Sequence, residues 1–113
     1  MNTDGFQKIA SLQELPKGKT LCVEIENKEV LLCHTAEGIF AVDNLCTHAE
    51  ARLCDGKLKG NKILCPLHGA AFDVKNGEAL TRPASIALNS YPVKLEGDAI
   101  SVSLIASDSS SGA

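Results

Sequence analysis

Tryptophan is absent, and one tyrosine and three phenylalanines leave aromatics at 4% of 113 residues. A platform of rings on which single-stranded bases stack is therefore missing. Positive charge is short as well. Lys and Arg number 11 against 14 Asp and Glu, for a net charge of −3. That excludes the basic footprint of a nucleic-acid partner and attraction to an anionic membrane surface. The longest apolar runs, such as Ile39–Val42, are about four residues, where a bilayer span needs roughly 18. The start, Met1 to Phe6, has neither a basic segment nor an apolar one, so the expected location is the cytoplasm. No glycine-rich phosphate loop and no supported Ser/His/Asp set is present, and the expectation is a protein that is not an enzyme.

What is present is strand after strand. The length suits one domain with a modest core. Phe6–Ala10 is a short apolar run, and Ser11-Leu12-Gln13-Glu14 has capping-box spacing for one helical turn, which Pro16 and Gly18 end. Leu21, Val23 and Ile25 alternate with polar neighbours, the two-residue period of a half-buried strand. Val30–Thr35 and Ile39–Asp43 read as the next strands. Lys62–Cys65 and Ala71–Val74 are candidate short strands, and Asn76-Gly77 is a turn signal. Tyr91, Val93 and Leu95, then Ile100, Val102 and Leu104, flank Gly97-Asp98 as a hairpin. The expected fold class is all-β. Residues 106–113, rich in Ser and Asp, read as a disordered tail.

Five cysteines is an odd number, and clustered cysteines in a reducing compartment point to metal or catalysis before disulfides. Two fragments stand out, Cys46-Thr47-His48 and Cys65-Pro66-Leu67-His68. Each offers one thiolate and one imidazole. Tetrahedral zinc accepts two Cys and two His, and a structural zinc module stays open as a reading. The mixed pair in each loop suits a two-iron centre better, with both Cys on one iron and both His on the other. Two ferric ions, two sulfides, two thiolates and two neutral imidazoles sum to zero charge. Four thiolates would leave a dianion, so the mixed set accepts an electron more readily.

These fragments, with Gly69, Ala71-Phe72-Asp73, Asn76-Gly77, Arg82-Pro83-Ala84 and Tyr91-Pro92-Val93-Lys94, closely resemble a Rieske iron–sulfur protein. The likeness is greatest to the small ferredoxins of bacterial aromatic-ring-hydroxylating dioxygenase systems. It implies one Rieske [2Fe–2S] cluster held by Cys46, His48, Cys65 and His68. It implies a one-electron carrier between an NAD(P)H-dependent flavin ferredoxin reductase and a terminal Rieske non-haem iron oxygenase. A monomer is expected. The alternative is a Rieske-like small subunit of a larger oxidoreductase, such as assimilatory nitrite reductase. The implied fold is a single Rieske domain over residues 1–113. Antiparallel sheets form a base, about 6–43 and 86–105, which carries a small cluster-binding subdomain, about 44–84.

The same resemblance implies that Arg82-Pro83-Ala84 form a third loop over the cluster, and that Leu53 and Leu67 make an apolar docking collar. Relatives with high potential bridge their ligand loops through extra cysteines; Ala51 and Leu67 stand there, and Ala70 and Phe72 replace hydroxyl donors. A midpoint at the low end of the Rieske range is therefore expected. Glu50, Arg52 and Asp55 are candidates for partner charge complementarity. Cys54 reads as a spectator thiol at a turn. Cys22 and Cys33 fall on one side of neighbouring strands as small apolar residues, and His34 as a surface or hydrogen-bonded histidine.

Overall fold

A computed structural model describes residues 6–45, 52–66, 70–80 and 87–104. The described residues form three antiparallel sheets. Strands β2 (Thr20–Ile25), β3 (Lys28–Thr35), β4 (Gly38–Asp43) and β8 (Ser90–Tyr91) form the first, in that order. Strands β1 (Phe6–Ser11), β10 (Ala99–Ser103) and β9 (Val93–Glu96) form the second. The third is β5 (Lys57–Lys59), β6 (Lys62–Leu64) and β7 (Ala71–Asp73). The all-β expectation holds.

The parity of β3 explains how the sheets stack. Val30, Leu31, Leu32 and Cys33 are all fully buried. Successive side chains of a strand point to opposite faces, so an unbroken apolar run requires a core on each side. Val30 and Leu32 pack with Ala10, Tyr91, Ile100 and Val102, toward the β1–β10–β9 sheet. Leu31 and Cys33 pack with Ile63, Phe72 and Val74, toward the β5–β6–β7 sheet. The first sheet thus divides two hydrophobic cores.

Turns set the registers. Ile25 pairs with Lys28, which leaves Glu26 and Asn27 as a two-residue connection, both at positive φ (51° and 70°). That geometry follows the right-handed twist of paired strands. The expected turn after Ser11 is present over Leu12–Glu14, with the Ser11 amide donating to the Glu14 carboxylate at 3.0 Å. Asn76-Gly77 is a turn, as expected, but of a wider kind than a two-residue hairpin. The Gly77 amide bonds to the Asp73 carbonyl at 2.6 Å, and Asp73 and Asn76 side chains accept from the amides of Lys75 and Glu78. Strand β5 was not foreseen; three residues are too few for a period to show.

Candidate metal centre

Of the four candidate ligands, Cys65 lies within the described residues. Cys46, His48 and His68 lie outside them, as do Glu50, Ala51, Leu67, Gly69 and Arg82-Pro83-Ala84. Cys65 follows β6 directly and is 3% exposed. Its amide donates to the Ala70 carbonyl at 2.7 Å, which joins the residues on either side of 66–69. Among the described residues no three His, Cys, Asp or Glu side chains come together.

The roots of the three undescribed stretches converge. Leu53 follows residues 46–51, Cys65 and Ala70 flank residues 67–69, and Leu88 follows residues 81–86. All four belong to one buried cluster with Leu31, Val42 and Phe72. The two candidate fragments, each with one thiol and one imidazole in its sequence, are therefore flanked by residues of one apolar floor. That donor set and this shared origin fit a two-iron cluster, which needs ligands from two segments at one end of the fold.

The first root is fastened by a polar knot. Leu45 and Arg52 form a bridge that closes residues 46–51. Asn44, fully buried, donates its amide to the Glu29 carbonyl at 3.1 Å, and its side chain donates to the Glu29 carboxylate at 3.0 Å. The Leu53 amide bonds to the Asn44 carbonyl at 2.6 Å, and the Cys54 amide to the Asn44 side-chain oxygen at 2.9 Å. Arg52 grips Glu29 through two bonds, at 2.9 and 3.0 Å. Hydrogen bonds from Arg52 first, then from Asn44, hold the Glu29 carboxyl below its usual pKa. Glu29 in turn raises the pKa of the Arg52 guanidinium.

Sequence reasoning missed Asn44 and Glu29. The signal for Asn44 was available: it continues the parity of Phe40 and Val42, and both of those face the core beneath the site. A polar residue at an apolar position of the alternation marks a satisfied network. Nothing local marks Glu29, whose partners lie 15 and 23 residues away.

Other expectations change on inspection. Leu53 is not part of a surface collar: it is fully buried in the core, because the 3-10 turn Leu53–Asp55 points it inward. Arg52 is paired with Glu29 at 2.9 Å while its side chain stays exposed. His34 is the hydrogen-bonded histidine expected, with Nδ1 2.8 Å from the Leu15 carbonyl. Cys33 is buried as expected, and burial pushes its thiol up to about 12. Cys22 lies on the same face but is exposed rather than packed as an apolar residue. Cys54 is more than a spectator: the Asn44 amide donates to its sulfur at 3.6 Å.

The chain resembles known proteins along most of its length. Residues 5–92 match the Rieske [2Fe-2S] domain. The chain is 43% identical over 102 residues to the naphthalene 1,2-dioxygenase system ferredoxin component of Pseudomonas aeruginosa, covering 90% of this chain and 98% of the relative. It is 37% identical to the biphenyl 2,3-dioxygenase ferredoxin component of Rhodococcus jostii, covering 86% and 91%. The ferredoxin of carbazole 1,9a-dioxygenase from Nocardioides aromaticivorans superposes with a TM-score of 0.83 at 31% identity, covering 87% and 96%. The chain belongs to the Rieske [2Fe–2S] domain family. Its cofactor is one Rieske cluster, and it is an electron-carrying ferredoxin component rather than a catalytic enzyme.

Proposed function

We propose that Cys46, His48, Cys65 and His68 hold the cluster. We further propose that the chain takes single electrons from an NAD(P)H-dependent flavin reductase and delivers them to a terminal aromatic-ring-hydroxylating oxygenase. The observation that carries the ligand assignment is the shared floor of Leu53, Cys65, Ala70 and Leu88 beneath both ligand-bearing fragments. The carrier role draws on the ferredoxin-component relatives, which span nearly the whole chain. When bound, the cluster supplies a centre that gains and loses one electron without ligand exchange. The chain's own part is to fasten the ligand loops from below, through Asn44 and the Cys65–Ala70 bond, and to keep water from the floor. We place the base at about 6–43 and 86–105 and the cluster-binding subdomain at about 44–84, in a cytoplasmic monomer. No helix among the described residues is long and apolar enough to cross a membrane.

The test is spectroscopic. Protein labelled with 15N-histidine is reduced with dithionite, and nitrogen hyperfine couplings are read beside iron, sulfide and zinc analysis. Two nitrogen couplings are expected, one lost in H48C or H68C and both kept in H34Q. A colourless protein with one zinc, or couplings unchanged in both ligand variants, would overturn the assignment. Stopped-flow transfer from a flavin reductase, and onward to an oxygenase of a naphthalene-type system, tests the carrier role separately.

A further inference from the structure

Gly56 stands where the backbone after residues 46–51 meets the backbone that enters Cys65. It follows the 3-10 turn Leu53–Asp55, and its amide donates to the Leu53 carbonyl at 2.8 Å. Leu53 is itself tied to Asn44, its amide donating to the Asn44 carbonyl at 2.6 Å. The Gly56 backbone is extended, with φ −92° and ψ −158°, so conformation does not call for glycine here. Space does. A Cβ on Gly56 would overlap the Leu64 carbonyl oxygen, and would lie 3.0 Å from the Leu64 carbonyl carbon and 3.2 Å from the Leu53 oxygen. All of these are backbone atoms, so no flexible side chain can swing aside.

The crowded carbonyl belongs to the peptide that joins Leu64 to Cys65. Leu64 pairs with Lys57 on one side and Ala71 on the other, so the strand cannot slide away from Gly56. The N–H of the same peptide is the Cys65 amide, which donates to the Ala70 carbonyl at 2.7 Å. The peptide is thus held at its oxygen end by the close approach of Gly56 and at its N–H end by Ala70. A side chain at position 56 would be relieved by tilting this plane, which strains the Ala70 bond and turns Cys65 on its backbone. We propose that Gly56 is a positioning residue for the redox centre. Its missing side chain sets the Leu64–Cys65 peptide, and through it the direction in which Cys65 presents its sulfur. The orientation of a ligating side chain and the hydrogen bonds around its sulfur tune a metal centre, so the effect reaches the potential as well as stability. The inference rests on Cys65 as a cluster ligand, a reading that C65A tests separately.

Unaltered holoprotein, G56A, G60A and C65A are compared by redox titration against a dye, by EPR after dithionite reduction, and by hydrogen exchange resolved to single amides. Gly60 lies in the same sheet with open space where its Cβ would stand, so G60A reports backbone strain without the contact. G56A is expected to change the reduction equilibrium at least threefold and to shift the EPR g-values, while G60A keeps both. Exchange at the Cys65 amide should be at least tenfold faster in G56A than in G60A, with β1, β9 and β10 still protected. C65A is expected to lose the EPR signal. An unchanged equilibrium and spectrum in G56A, beside a lost signal in C65A, would overturn the positioning role and leave the ligand assignment standing. An unchanged signal in C65A would overturn the assignment and the inference with it. If G56A loses its cluster on purification, hydrogen exchange decides between cluster-free G56A and cluster-free G60A. Faster exchange at Cys65 with β1, β9 and β10 protected supports the role; equal exchange there, or loss of protection throughout, overturns it.

Discussion

At the scale of single residues, the buried polar groups that flank residues 46–51 carry more consequence than the exposed charges. Asn44 uses both ends of its amide, one toward Glu29 and Cys54 sulfur, the other toward the Cys54 amide. Removing it leaves buried groups without partners, which costs about 1–3 kcal/mol. N44A should therefore lose about 2 kcal/mol in urea unfolding and release iron faster to a chelator. Glu29 adds a pH dependence. Its carboxyl lies below the usual 4.5 in the folded state, held there by Arg52 and then Asn44. A depressed folded pKa gives stability that is present above the unfolded value and lost as pH falls through the folded one. The difference in melting temperature between the unaltered protein and E29Q should be greatest near neutral pH and should shrink as the carboxylate is protonated. A difference that does not vary with pH would mean the Arg52 pairing is not ionic in origin.

At the scale of elements, the turns divide into those that tolerate a side chain and those that do not. Gly60 joins β5 to β6 at φ +58°, with nothing within 4 Å of the place a Cβ would occupy. G60A should cost only the left-handed backbone penalty, about 1–2 kcal/mol. Gly77 is also left-handed, at φ +82°, but a Cβ there would overlap the Leu88 carbonyl, which accepts no such displacement because the Leu88 amide is bonded to Gly77. G77A should cost about 3 kcal/mol or more, since strain and overlap add. Comparing the two by chemical unfolding separates backbone conformation from contact. The turn at Asn76-Gly77 was readable from residue type. The return of the chain from Leu88 onto Gly77 was not, because ten residues intervene.

At the scale of the molecule, two cores on opposite faces of the β2–β3–β4–β8 sheet divide the work. The core of Ala10, Ile100 and Val102 contains none of the candidate ligands, whereas that of Leu53, Cys65, Phe72 and Leu88 contains Cys65 and residues that flank 46–51 and 67–69 in the chain. Metal binding in a small domain is coupled to folding. Stripping the cluster should raise amide hydrogen exchange at least tenfold in β5–β7 and leave β1, β9 and β10 little changed. Equal loss of protection in both cores would show that they unfold as one unit. The midpoint potential belongs to this scale too. Ala70 and Phe72 are fully buried and bring no hydroxyl toward the site. Fewer hydrogen bonds to sulfur stabilise the reduced cluster less, so a redox titration should give a value toward the negative end of roughly −150 to +300 mV.

The amino-acid order alone specified what depends on neighbours along the chain. The two-residue alternation yielded β2 and the last hairpin, and short apolar runs bounded by turn residues yielded β3 and β4, since both patterns are local properties of extended backbone. The paired Cys and His fragments, with Pro66 and Gly69 beside the second, pointed to a two-iron centre, because residue type and spacing are written in the chain itself. Only the tertiary structure decided which apolar side chains line the floor. Leu53 read as a surface residue until its turn was seen to face inward. It also decided that Asn44 binds Glu29. That contact joins residues that neither period nor motif relates. It exists because the β3–β4 pairing sets Val30 opposite Asp43 and so brings Glu29 beside Asn44.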